Sequence, residues 1–551
     1  MWKGSWYVPE LRILNLRNNS LTGIIPPSVG NATKLMNFSL SYNKINGNIP
    51  KEIGNLSQLA VLSLVDNQVT GSIPTSIFNI SSLRSLTLGR NSLSGPLLLD
   101  EGIFLSNLER LSLTLNQISD HIPSDICQLT QLKILSISSN NIIGEIPKNI
   151  GCLSKLEEFY IGNNPITGTI PTSLGNISTL RNLYCETNSL EGPIPPELGK
   201  LSNLIELDFE ENYNLIGQIP EAIFNISSLE YIALTSNKLS GRIPTSTGLH
   251  LPKLLELHLS DNELEGEIPP HITNASKLER LGLSTNFFSG SIPTNLGNLR
   301  DLQLLLLHNN QLTNEETTVR GNFKDPYHSN SASNRLINFQ ELLQGSIPTS
   351  LFQHPRVQII SLAFKKFDGE MWKGSRYVPK LRVFLNLRNN SLTGIIPPFV
   401  GNATKLMNFS LSYNRINGNI PKEISNLSQL AFLSLVDNQV TGSIPTSIFN
   451  VSSLRSLTLG RNSLSGPLLL DEGIFLLNLE RLSLTRNQIS GRIPSNICQL
   501  IQLKILSISS NKITGEIPKN IGCLLKLEEF YIGNNPITGT IPTSLGNIST
   551  L

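Results

Sequence analysis

The chain of 551 residues is short of charge and of the side chains that usually carry out chemistry. Charged residues make up 15% of it, and 43 basic against 41 acidic residues leave a net charge of +2. That balance excludes nucleic-acid binding by bulk electrostatics. The seven histidines are scattered, and neither an H-E-x-x-H element nor a paired Cys/His ligand spacing occurs. A phosphate-cradling glycine loop and the V-A-I-K, H-R-D and D-F-G elements of a kinase are missing too. No catalytic activity, metal or cofactor is therefore expected. No apolar run reaches the roughly eighteen residues of a membrane span. The opening MWKGSWYVPE lacks the apolar core of a signal peptide.

Cysteine is scarce as well, with five in the chain. Cys127 and Cys498 stand where comparable stretches have Gly in I-G-N-L, Cys152 and Cys523 stand in the Asn slot, and Cys185 replaces a leucine. All five read as small buried side chains rather than ligands.

What the chain has in quantity is a period. At Leu59 it reads LAVLSLVDNQVTGSIPTSIFNISS, and at Leu83 the same pattern starts again. The template L-x-x-L-x-L-x-x-N-x-L-x-G-x-I-P recurs from Leu11 to Leu302 and resumes from Val357 to Leu527. Leucines at this spacing, with a period of roughly 20–29 residues, mark a leucine-rich-repeat solenoid. In L-x-L, Leu62 and Leu64 point to one side of a short strand and Ser63 to the other. Successive coils run the same way, so their strands must pair in parallel. The fold expected is α/β: a right-handed solenoid with short parallel strands on its concave face and a 3-10 or irregular convex face. One coil cannot bury enough to order itself, and stacking on neighbours supplies the rest.

An Asn closes each strand block: Asn19, Asn43, Asn67, Asn91, Asn116, Asn140 and Asn164, then Asn188, Asn212, Asn237, Asn262, Asn286 and Asn310. Its amide both donates and accepts, so a column of such residues can satisfy backbone groups where the chain leaves the sheet. Gly then permits the turn and Ile-Pro directs an extended segment outward.

The G-x-I-P element, as in Gly71-Ser72-Ile73-Pro74 and Gly168-Thr169-Ile170-Pro171, resembles the plant-type leucine-rich repeat of receptor-like kinase and receptor-like protein ectodomains, with wording similar to the pathogen-sensing subfamily. That resemblance implies a peptide or protein ligand, a shorter leucine-rich-repeat co-receptor and the extracellular face of the plasma membrane. Fourteen N-x-[ST] acceptors, among them Asn31, Asn55, Asn79, Asn176, Asn225 and Asn274, fit a glycosylated surface, although the repeat consensus also generates them. Two other readings stay open: a secreted inhibitor similar to those that block microbial wall-degrading enzymes, and a nonfunctional fusion of gene fragments.

The period divides the chain into a first block, 1–312, a polar junction, 313–343, and a second block, 344–551. The junction TNEETTVRGNFKDPYHSNSASNRLINFQELL reads as a loop rather than a folded insert, and Lys365 stands where a ladder Asn belongs. Residues 371–551 repeat 1–180 with about nine positions in ten identical, which reads as a recent duplication. With neither cysteine-paired caps nor a leader, the chain is expected to be a fragment.

Since core positions are taken on every strand, recognition must reside in the outward residues. In the early coils these are plain: Asn37, Ser39 and Ser41, then Val61, Ser63 and Val65. From the seventh coil they change to Glu158 and Tyr160, Tyr184 and Glu186, then Glu206, Asp208 and Glu210 with Glu211 just beyond, then Tyr231, then Glu256 and His258. Strands about 4.8 Å apart would merge these into one acidic and aromatic patch. Tyrosines offer rigid contact area and carboxylates select basic groups on a partner. Catalysis by Glu206, Asp208 and Glu210 is disfavoured, because an open strand face holds no pocket to tune a carboxylate.

Overall fold

The computed structural model describes residues 8, 10–97, 105–312, 356–363, 367, 369–370, 384–470, 478–548 and 550. The junction 313–343, the half-repeat at 345–348 and Lys365 lie outside these. The chain divides into two compact units, Met1–Glu265 with Asn274–Leu278, and Gly266–Thr273 with Glu279–Leu551.

In the first unit each coil contributes a three-residue strand, and each strand pairs in parallel with the next. The order begins Ile13–Asn15, Asn37–Ser39, Val61–Ser63 and ends Tyr231–Ala233, Glu256–His258. Middle residues face inward and stack in one row: Phe38, Leu62, Leu86, Leu111, Leu135, Phe159, Leu183, Leu207, Ile232 and Leu257 are all 0% exposed. The second unit repeats the plan from Arg280–Gly282 to Glu529–Tyr531. There the strands Leu304–Leu306 and Ile359–Ser361 pair directly, Leu305 opposite Ile360, although 52 residues separate them in sequence. The solenoid therefore keeps its register from one side of the 313–355 stretch to the other.

The ladder asparagines close each coil onto its neighbours. Asn164 Nδ2 donates to the carbonyls of Ile137, Ile161 and Gly162, while its Oδ1 accepts from the Ile142 N–H at 3.1 Å. The residue before each ladder Asn is left-handed, as at Asp66 (φ 57), Asn163 (φ 55) and Glu211 (φ 54). This conformation is unfavourable for most L-residues by about 1–2 kcal/mol, and the repeated Asn bonds hold it.

Beyond the ladder the G-x-I-P segments do more than lead outward. Lys44–Asn48, Gln68–Gly71, Ser92–Pro96 and Gln117–His121 form a second parallel sheet. Gly71 makes this possible at φ 77, a conformation glycine adopts without penalty. After Ile-Pro come five-residue 3-10 turns such as Thr172–Asn176 and Pro196–Lys200, which stack coil on coil. They approach so closely that a Cβ on Gly175 would lie 2.3 Å from the Glu197 carbonyl oxygen. Backbone cannot withdraw as a side chain can. Gly175→Ala is expected to destabilise the neighbouring coils by about 2–3 kcal/mol, measured as a lower urea midpoint.

Four of the five cysteines differ from the sequence expectation. Cys127 is bonded to Cys152, and Cys498 to Cys523, each pair 25 residues apart; none of the four is buried. At these two places the Gly slot of one coil is joined to the Asn slot of the next, a contact invisible when each coil is read alone. Cys185 is the exception, fully buried in the leucine row, where burial pushes its thiol well above the usual range.

No helix among the described residues is long and apolar enough to cross a membrane.

Candidate ligand-binding face

All the patch residues lie in the first unit, on the strands Glu158–Tyr160, Asn182–Tyr184, Glu206–Asp208, Tyr231–Ala233 and Glu256–His258 and just after them. Register sorts them into rows. The first outward row runs Glu158, Asn182, Glu206, Tyr231, Glu256, and the second runs Tyr160, Tyr184, Asp208, Ala233, His258. Gly162, Glu186 and Glu210 follow two residues further along their coils.

The rings of the two rows lean together into a continuous ladder. Tyr160 and Tyr184 have centroids 5.2 Å apart, Tyr184 and Tyr231 6.5 Å, and Tyr231 and His258 5.8 Å. The middle pair is nearly parallel, at 9° between planes. Tyr184 Oη donates to Glu206 Oε2 at 2.9 Å, and Asn182 Nδ2 donates to the same oxygen. Glu206 is thereby fixed beneath the ladder. Glu256 and His258 face each other at 2.9 Å.

Two carboxylates are less at ease. Asp208 is only 6% exposed, and its Oδ1 accepts from the Glu210 N–H at 3.0 Å. Burial pushes its acid up to about 7, and the charges of Glu210, Glu186 and Glu206 add to the rise against that one hydrogen bond. Glu186 lies over Gly162, whose hydrogen leaves room that a Cβ would fill at 2.0 Å from Oε1. Its Oε2 is buried with no hydrogen-bond partner. Burial also raises the pKa of Glu186, against a hydrogen bond from its own backbone and with the charge of Glu210 adding to the rise. Burial raises Tyr160 to about 12, with Glu158 and Glu206 contributing, and raises Tyr184 and Tyr231 further. These phenols remain neutral hydrogen-bond donors. Among the described residues no cluster of His, Cys, Asp or Glu is placed to hold a metal ion.

Of the residues singled out from sequence, Glu211 stands apart. It occupies the left-handed turn, and its carboxylate accepts from Thr187 Oγ1 at 3.1 Å, away from the strand rows. Two contributors escaped the sequence reading: Asn182, which anchors Glu206, and Gly162, which seats Glu186. Aligning residues 24 apart would have exposed both. The early coils, plain by residue type, carry hydroxyl chains instead: Ser41 to Ser63 at 2.7 Å, Thr87 to Ser63 at 2.8 Å, and Thr114 to Ser136 at 2.6 Å. The acceptor residues Asn31, Asn55, Asn79, Asn176, Asn225 and Asn274 are all exposed, each at the end of a 3-10 turn.

A leucine rich repeat profile matches residues 9–69 and 379–440. A second matches 107–129, 131–153, 155–177, 253–275, 277–299, 478–500, 502–524 and 526–548. No curated protein sequence matches significantly. Among solved structures, the plant peptide hormone receptor RGFR1 in complex with RGF2 is 34% identical, with 98% of this chain and 81% of that one covered and a TM-score of 0.85. PEPR1 with AtPEP1 is 28% identical, covering 98% and 74%, at 0.82. The Arabidopsis receptor kinase HAESA with the peptide hormone IDA and the co-receptor SERK1 is 28% identical, covering 94% and 85%, at 0.76.

Proposed function

The chain belongs to the leucine-rich-repeat family and has the architecture of plant receptor ectodomains, and from that premise we propose that it is the ligand-sensing part of a plant cell-surface receptor-like kinase or receptor-like protein. It binds a peptide or protein carrying basic groups across the strands between Glu158 and His258. A shorter leucine-rich-repeat co-receptor then joins the complex, and the output is signalling or defence.

The observation that carries this reading is the ring ladder with its partly unsatisfied carboxylates. A face of this kind offers rigid contact area and an unmet demand for positive charge. The relatives support it, since RGFR1 is described as a plant peptide hormone receptor and HAESA in complex with the peptide hormone IDA and the co-receptor SERK1. Exposed glycan acceptors and two disulfides suit an extracellular setting.

Panning a random 12-residue peptide display library on the full chain tests it. Binders should be enriched in basic residues and lose at least about tenfold in affinity with Glu186→Gln plus Glu210→Gln, while Ser63→Ala changes little. Binders indifferent to both changes would refute the face.

A further inference from the structure

The patch contains one seat with a definite shape. Tyr184 and Tyr231 come from strands on either side of Glu206–Asp208. Their rings are nearly parallel with centroids 6.5 Å apart, close enough that one cation can lie within the ~6 Å over which it feels a ring face of both. The same patch holds carboxylate oxygens that take no protein donor among the described residues. Only Asp208 Oδ1 of its pair is hydrogen-bonded among the described residues, in a side chain 6% exposed. Glu186 Oε2 is buried and unpartnered. Glu206, by contrast, is already held by Tyr184 and Asn182 and fixes the wall rather than greeting a ligand.

We propose that this seat takes one arginine side chain of the ligand, its guanidinium plane between the Tyr184 and Tyr231 rings and its N–H groups on Asp208 and Glu186. The assignment rests on the peptide-binding reading above and adds to it the residue recognised. Arginine fits where lysine does not. A guanidinium is planar, stacks on aromatic faces and donates through a rigid fork, whereas an ammonium is a strongly hydrated point charge. Two carboxylates and two ring faces match the fork and the plane together; charge alone would need neither the parallel rings nor their spacing.

The experiment uses peptides selected from the 12-residue library on the full chain, remade by synthesis with each arginine replaced by lysine or by citrulline. The expected result is one arginine position at which both replacements weaken binding at least about tenfold: lysine by losing the plane, citrulline by losing the charge. Tyr231→Leu should weaken the arginine peptide to the same degree and the lysine peptide less than about threefold. Tyr184→Phe, which keeps the ring, should preserve the preference for arginine even if Tyr184→Leu fails to fold. Lysine and arginine peptides of equal affinity, or an arginine preference untouched by Tyr231→Leu, would overturn the seat. If peptides bind and depend on Glu186 and Glu210 but show no arginine selection, the seat fails and the binding face stands. If no peptide binds, both fall.

Discussion

With Asp208→Asn and Glu210→Gln together, a cationic peptide should bind at least about 100-fold more weakly than to the unaltered chain. Each hydrogen bond to a charged group contributes about 1.5–3 kcal/mol, and the pair removes the charge at Asp208 and its nearest acidic neighbour while leaving the backbone bond between them possible. Titration calorimetry on the peptides described above would measure it. A loss under about threefold would mean that the ligand does not use these carboxylates.

The same side chain makes binding depend on pH in a stated direction. Asp208 is held at about 7 by burial, with Glu210, Glu186 and Glu206 adding to it and the Tyr184 and Tyr231 rings beside it. Below that pH it is largely neutral, so affinity for a cation should rise from pH 5 to 7, by at most about tenfold per unit for one linked proton, and level off above. For stability the sign is opposite. The folded value exceeds the ordinary ~3.9 of an unfolded aspartate, so the folded state holds the proton more tightly. This contribution is fully present below about pH 4 and is lost as pH rises through about 7. Asp208→Asn should therefore raise the local unfolding free energy at pH 8, by an amount on the order of 2–4 kcal/mol, and leave it nearly unchanged at pH 4. Hydrogen exchange across residues 182–233 reads both. Equal effects at the two pH values would contradict the assignment.

Asn212→Leu is expected to be the most damaging single change in the first unit's ladder, at about 3 kcal/mol. Asn212 is 0% exposed. Its Nδ2 donates to the carbonyls of Cys185, Phe209 and Glu210, and its Oδ1 accepts from the Leu190 N–H at 3.1 Å. The three carbonyls keep other donors: Asn188 on Cys185, Asn237 on Phe209, and the Thr187 N–H on Glu210. The Leu190 N–H does not keep one, and an orphaned buried donor costs about 1–3 kcal/mol. That term dominates, and three weakened bonds supply the remainder. Asn19→Leu gives the contrast. Asn19 is exposed and, among the described residues, donates only to Leu16 and Arg17 of its own coil, so the same exchange there should cost under about 1 kcal/mol. Because coils open semi-independently in a solenoid, the loss at Asn212 should appear as faster exchange confined to coils around residues 185–240.

What the sequence alone determined is whatever each coil settles for itself. The inward row from Phe38 to Leu257, the closing asparagines and the turn glycines follow from period-two strands and backbone groups that need partners within a coil or its copy next door. So does the order of outward residues along the patch, which put Tyr160, Tyr184, Tyr231 and His258 in consecutive coils but one. Tertiary structure decided everything that passes between unlike positions of neighbouring coils. The disulfides join a Gly slot to an Asn slot; Glu186 settles on Gly162; Tyr184 in the second row reaches Tyr231 in the first across an intervening strand. The physical reason is that side chains lean. A repeat fixes where each Cβ starts, to within a row and a strand spacing, but the direction taken depends on which neighbour, 24 or 25 residues away, leaves room or offers a charge.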